Sequence, residues 1–233
     1  MGRRWFEKHL ISLIFGFIGV IFVLIGGGFL WGRFHTQQEI KTSEQIRLYT
    51  VAQLTDVSSS TRVAIEGRIS EQNLSHFEGL VAYTARQYQG IECDDEDDEN
   101  DDGDHECDEV WQEVERVTPG LWLDLPDGRI RLENTDYELL GAPEVWQTTP
   151  QLIEYKTLEY RGFRMGNPVF VIGEARTNDG VSLNADFLYG GSRQDYLLSQ
   201  TEEAKILFLM GIVFGGFGIL FLGVAIVTAV LMR

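Results

Sequence analysis

The sequence predicts a membrane protein with two transmembrane α-helices flanking a mainly-β domain, a small OB-like or other β-barrel. Three observations carry this expectation. The run 206–232 contains no charge, and a helix of that length, rising about 1.5 Å per residue, is roughly 40 Å long, enough to cross a hydrocarbon layer of about 30 Å with some tilt. A second uncharged run, 10–31, lies near the other end. Between them, short stretches rich in β-branched and aromatic residues are separated by glycine turns, with almost no helical periodicity. That pattern argues for a small barrel or sandwich.

Taken in order, residues 1–9 read as a cytoplasmic amino terminus and 10–32 as the first transmembrane helix. Arg3, Arg4 and Lys8 give this region the basic start of a signal peptide. Its apolar core of about 22 residues is too long for that role and no A-x-A site follows, so it reads as an uncleaved anchor. Arg33, Lys41 and Arg47 follow the span. The basic count therefore leans only slightly toward cytoplasmic ends, with 33–205 extracytoplasmic, either periplasmic or extracellular.

Residues 33–60 form a polar connector in which 37–48 has room for a short helix. The β domain spans 61–191. In 63–70 the alternation places Val63, Ile65 and Ile69 on one face. The stretches 80–88 and 110–117 lie either side of an acidic insertion, 92–109, and predict a hairpin whose turn has grown into a loop. Pro126-Asp127-Gly128 joins strands 121–125 and 129–132, and Asn178-Asp179-Gly180 joins 168–175 to 181–187. A further strand is expected at 153–160, making about seven in all. Residues 192–205 read as a juxtamembrane helix running into the second span, 206–232. With only Arg233 after it, no further domain is expected there.

The net charge of −17 is concentrated rather than general. Thirteen of the 18 residues 92–109 are Asp or Glu, and removing those thirteen charges leaves −4 for the rest. This lacks the basic footprint of nucleic-acid binding. The only two cysteines, Cys93 and Cys107, bracket most of the acidic run. In an oxidising compartment they would close that loop as a disulfide; in a reducing one they would be free thiols.

Ile65-Glu66-Gly67, then 80–86 (Leu-Val-Ala-Tyr-Thr-Ala-Arg), Trp122-Leu-Asp-Leu-Pro-Asp-Gly128, Gly173-Glu174 and Tyr196-Leu-Leu-Ser199 follow one another between two spans. This order resembles the GIDE domain, the membrane-flanked domain of the mitochondrial E3 ubiquitin ligase family and its prokaryotic relatives. The likeness covers most of residues 50–230 and implies the fold and the two-span topology. In those ligases a RING finger follows the second span, and its Cys and His residues bind zinc. Here no Cys or His occurs after Cys107, so ligase chemistry is expected to be absent, and the acidic insertion departs from the family pattern. The expectation is a non-catalytic interaction or scaffold module whose partners are the lipid bilayer and an unnamed protein.

The sharpest local chemistry lies in the insertion. Asp98-x-Asn100-x-Asp102-Gly103, followed after five residues by Glu109, satisfies a calcium-loop pattern. Asp98, Asn100, Asp102 and Glu109 would offer oxygens, with Asp104 as backbone ligand and Glu106 through water. Against a specific Ca2+ site, so acidic a run matches such patterns easily, flanking helices are missing, and His105 stands where an apolar residue usually packs. Loose cation association and a solvated charged loop are the plainer readings. A zinc cluster of His105, Cys93 and Cys107 lacks the C-x-x-C spacing. His76 reads as a loop or strand-edge residue rather than part of a catalytic site. Asn73-Leu74-Ser75 is a glycosylation sequon, meaningful only in a eukaryotic secretory context. Gly28 with Gly32, and Gly211 with Gly215 and Gly218, have the spacing for close packing of the two spans, or for homo-oligomer contact. Trp5, Trp31 and Arg33 read as interface anchors.

Overall fold

A computed structural model describes residues 2–93, 107–148, 156–177 and 180–231, the side chains of 2–11 and 231 excepted. It divides into a helical unit, 1–45 with 197–233, and a β unit, 46–196.

The β unit is built on a five-stranded barrel. Its strands are β1 (Arg62–Ile69), β4 (Trp122–Leu125), β5 (Gly128–Leu132), β9 (Pro168–Arg176) and β10 (Ser182–Gly190). Around the barrel the order is β1-β4-β5-β10-β9 and back to β1. The β5–β10 seam is parallel, pairing Arg131 with Ser182 and Leu132 with Leu183, and the other seams are antiparallel. This is the connectivity of an OB-like barrel. In β4 and β5 burial alternates: Leu123, Leu125, Ile130 and Leu132 are buried, while Asp124, Arg129 and Arg131 are not; β9 is buried continuously from Val169 to Gly173. Each fully buried Leu, Ile or Val in this core contributes about 1.5–3 kcal/mol over leaving it exposed. Tyr137, wholly buried, donates its hydroxyl hydrogen to Pro119 O at 2.7 Å.

Two insertions into the barrel connectivity make a second sheet. The β1–β4 connection contains β2 (Leu80–Cys93) and β3 (Cys107–Val117). Between β5 and β9 lie β6 (Glu138–Leu140), β7 (Glu144–Gln147) and β8 (Leu158–Arg164). The second sheet runs β3-β2-β8-β7, while β6 extends the barrel sheet alongside β10. The described strands therefore number ten rather than about seven. The strand expected at 153–160 begins only at Leu158, and 153–155 lie outside the described residues.

The connector differs from expectation. The first helix, α1 (Gly2–Gln45), continues unbroken through the polar residues after Trp31 instead of ending there. Residues 47–49 then lie along β1, with Tyr49 N donating to Ala64 O and Ala64 N to Arg47 O. Ala64 is buried together with Val63 and Ile65 for that reason, although strand alternation alone points it outward. The short helix α2 (Val51–Leu54) follows. Asp127, in the β4–β5 turn, caps it by accepting from Val51 N and Ala52 N at 3.1 and 3.0 Å.

In the helical unit, α1 and α3 (Arg193–Leu231) run antiparallel. Both contain spans apolar and long enough to cross a membrane, with only 11% of each apolar window buried. Phe17, Leu24 and Ile219 are each 70% exposed, a surface suited to lipid rather than water. These helices fit an integral membrane protein. The helices meet at glycines, but not at all of those expected. A Cβ on Gly19 would lie 2.9 Å from Leu222 N, and one on Gly26 2.6 Å from Gly215 N. Gly28 has nothing within 4 Å, and Gly32 meets only Leu207, at 3.8 Å. Phe22 stacks on Phe214 at 5.7 Å, and Ser12 Oγ donates to Ala225 O at 2.7 Å. The Trp5 side chain lies outside the described residues.

Candidate interaction surface on the second sheet

At its base the second sheet is held by aromatic packing. Phe77 stacks on Tyr160 with centroids 4.0 Å apart, and Trp146 and Tyr83 meet the same pair edge-on or tilted. Burial raises the Tyr83 and Tyr160 phenols above their ordinary value, and the Glu115 charge adds to this. Tyr83 donates its hydroxyl hydrogen to Glu115 Oε1 at 3.3 Å.

One residue either side of Tyr160, the strand presents charge. Glu159 is 5% exposed and accepts from Arg161 Nε at 2.6 Å and Gln147 Nε2 at 3.1 Å, with Arg86 Nη2 3.6 Å away. Burial pushes its carboxyl up. Those hydrogen bonds and the two guanidinium charges more than offset it, so the net direction is below the ordinary glutamate value. The Arg86 guanidinium lies over the Trp111 ring at 5.5 Å, linking this cluster to β3. The Glu159-Tyr160-Arg161 alternation was visible in the sequence, but its convergence on Arg86 and Gln147 depends on strand register.

Beyond this base the sheet narrows. β8 pairs with β2 only between Leu80 and Gln87, whereas β3 follows β2 all the way to Cys93. The far end is therefore a two-stranded ribbon. A register shift between Tyr88 and Gly90, with Gly90 at φ +128°, marks the start of this segment. Ile91 is 62% exposed, and Glu92, Cys93, Asp108 and Glu109 are exposed as well. Glu92 stands directly opposite Asp108, a like-charge pair that opposes strand pairing. Next to it, Cys93 and Cys107 are register partners within disulfide distance, with Cα atoms 4.1 Å apart. The expected neck of the hairpin is where the structure puts it.

Of the residues expected to offer calcium ligands, Asp98, Asn100, Asp102, Asp104 and Glu106 lie outside the described residues, as does His105. Glu109 lies on β3, where its carboxylate accepts from Trp111 Nε1 at 3.1 Å. Among the described residues no group of three or more His, Cys, Asp or Glu is arranged to hold a metal ion. His76 is exposed beside the turn before β2, its backbone N–H donating to Leu80 O.

Asn73 corrects the sequon reading. It is buried, its Nδ2 donates to Ser70 O and Trp122 O at 2.9 and 2.8 Å, and its Oδ1 accepts from Trp122 N at 2.8 Å. A glycan on that nitrogen would replace one of the two hydrogens that bind these backbone carbonyls, so Asn73 is a structural clamp rather than an acceptor site. No family model, curated protein or solved structure matches this chain.

Proposed function

We propose that this chain is a two-span membrane anchor for a non-catalytic interaction or scaffold module, GIDE-like in the order of its parts, acting on the extracytoplasmic face. The ribbon of β2 and β3 carries the reading. It leaves the sheet with both strands exposed and ends at the Cys93–Cys107 pair, the neck of an insertion with ten acidic residues between the cysteines. Such a surface suits a basic protein partner, through charge complementarity that speeds encounter and sets specificity. The cysteine pair and the basic residues before the first span support the extracytoplasmic placement.

The test is site-specific photo-crosslinking in the native membrane, with the crosslinker at Ile91 and a control at Leu74, an exposed residue in the loop between β1 and β2. A discrete adduct is expected from Ile91, and it should vanish when residues 94–106 are replaced by a short Gly/Ser turn. Adducts that survive the replacement would sink the reading.

The resemblance to the ubiquitin ligases favours a second reading, participation in ubiquitin transfer. Purified protein added to ubiquitin-activating and conjugating enzymes should form no more conjugate than the mixture without it. Concentration-dependent chain formation would favour the ligase instead. The Asp98 to Glu109 pattern favours a third, calcium binding. That reading requires millimolar calcium, but not magnesium, to raise the thermal midpoint of the wild type and not of the loop replacement.

A further inference from the structure

The two helices of the helical unit do more than span. Between them, just past the apolar runs, lies an open cavity of about 470 Å³. Arg33, Gln37 and Lys41 of α1 line one side, and Thr201, Lys205 and Phe208 of α3 the other. Three cations therefore converge on it against one carboxylate, Glu44. Its depth is set by the sequence: Trp31 ends one uncharged run, and Ile206 begins the other immediately after Lys205. The contact of Leu207 with the Gly32 position brings those two boundaries to the same level. Arg33 lies with its guanidinium 3.8 Å from the Phe208 ring centroid, which holds it by a cation–π contact at the edge of the hydrocarbon. Lys41 is two turns further out, about 12 Å along the axis, and lines the outer part of the same groove.

The geometry points to a binding site for the headgroup of an anionic phospholipid, in the leaflet on the side of residues 33–205. The phosphate meets Arg33 and Lys205 at the boundary. Lys41, Gln37 and Thr201 face the rest of the headgroup, and the acyl chains lie along the exposed apolar faces of the spans. A soluble phosphate matches the cations but gains nothing from those faces, so the membrane lipid is the occupant. This site depends only on the two helices crossing a bilayer, and it stands or falls separately from the acidic ribbon.

The test is native mass spectrometry of the full chain, purified in neutral detergent and mixed with equal amounts of phosphatidylglycerol and phosphatidylcholine. The wild type should retain phosphatidylglycerol preferentially. The triple variant Arg33→Gln, Lys41→Gln, Lys205→Gln should lose that preference by about tenfold or more, and Lys41→Gln alone, at an exposed position, by about fivefold. Removing two barrel cations instead, with Arg62→Gln and Arg129→Gln, should change nothing. Unchanged preference in the triple and single variants would overturn the site, as would equal loss in the barrel variant. Displacement of the lipid by millimolar inorganic phosphate would assign the groove to a soluble anion and overturn the lipid.

Discussion

Gly173 shows how one missing side chain permits a strand pairing. It sits on β9 opposite Ala185, beside the bulge in β10, where a Cβ would collide with the backbone of Asn184 and lie 2.7 Å from Ala185 Cα. Gly173→Ala should therefore destabilise the β unit by about 2–3 kcal/mol in denaturant unfolding, because backbone rather than a flexible side chain must yield. Gly27→Ala, with nothing within 4 Å, should leave stability unchanged. Glu159 governs a pH response. Its folded carboxyl titrates below the ordinary value of 4.5, so on acidification the unfolded chain takes up its proton first. The stability it contributes is complete above that value and is lost as pH falls below about 4.5 toward the folded titration. The thermal midpoint should drop over that acid window, and Glu159→Gln should flatten the drop; an equally steep fall in the variant would remove Glu159 from the account. Neither role could be read from the residue alone. Gly173 and Glu159 were both in plain view, but the register that sets Gly173 against Ala185 and brings Gln147 and Arg86 to Glu159 is not written in either residue.

At the scale of elements, the acidic hairpin is the part most open to experiment. Replacing both cysteines, Cys93→Ser with Cys107→Ser, should cost about 3 kcal/mol for a closed loop of this size. The loss should be larger at low salt, where the Glu92–Asp108 repulsion is least screened. Equal loss at low and high salt would separate the disulfide from that repulsion. This hairpin was legible because two β-rich stretches flank a run too acidic to pack, and register then followed from the cysteines. The barrel strands were legible from alternation and from their Pro-Asp-Gly and Asn-Asp-Gly turns. What stayed hidden had weaker local signals. β6 and β7 are only three and four residues long, and α1 passes through polar residues whose sequence does not distinguish a helix from a connector. Glycine spacing in the spans identified candidates for contact, but only the partner's face decides between them. The closest approaches use Gly19 and Gly26, with Gly211 and Gly218, rather than Gly28 and Gly32.

For the whole molecule, orientation is the decisive expectation. An impermeant maleimide applied to intact cells should label Glu71→Cys, an exposed position, and miss a cysteine appended after Arg233. The reverse pattern would invert the molecule and withdraw the extracytoplasmic reading, leaving two spans in place. The parallel seam between β5 and β10 also has a consequence for synthesis. Ser182 follows Leu132 by 50 residues, several seconds of translation at about 5–20 residues per second. During that interval β1, β4 and β5 have been made, but the outer edges of β1 and β5 still lack β9 and β10. The strand that completes the barrel ends at Gly190, and α3 begins at Arg193. The nascent barrel thus keeps open edges until the ribosome has reached the second span, so folding of the β unit and insertion of the last helix become late, nearly simultaneous events in the life of each new chain.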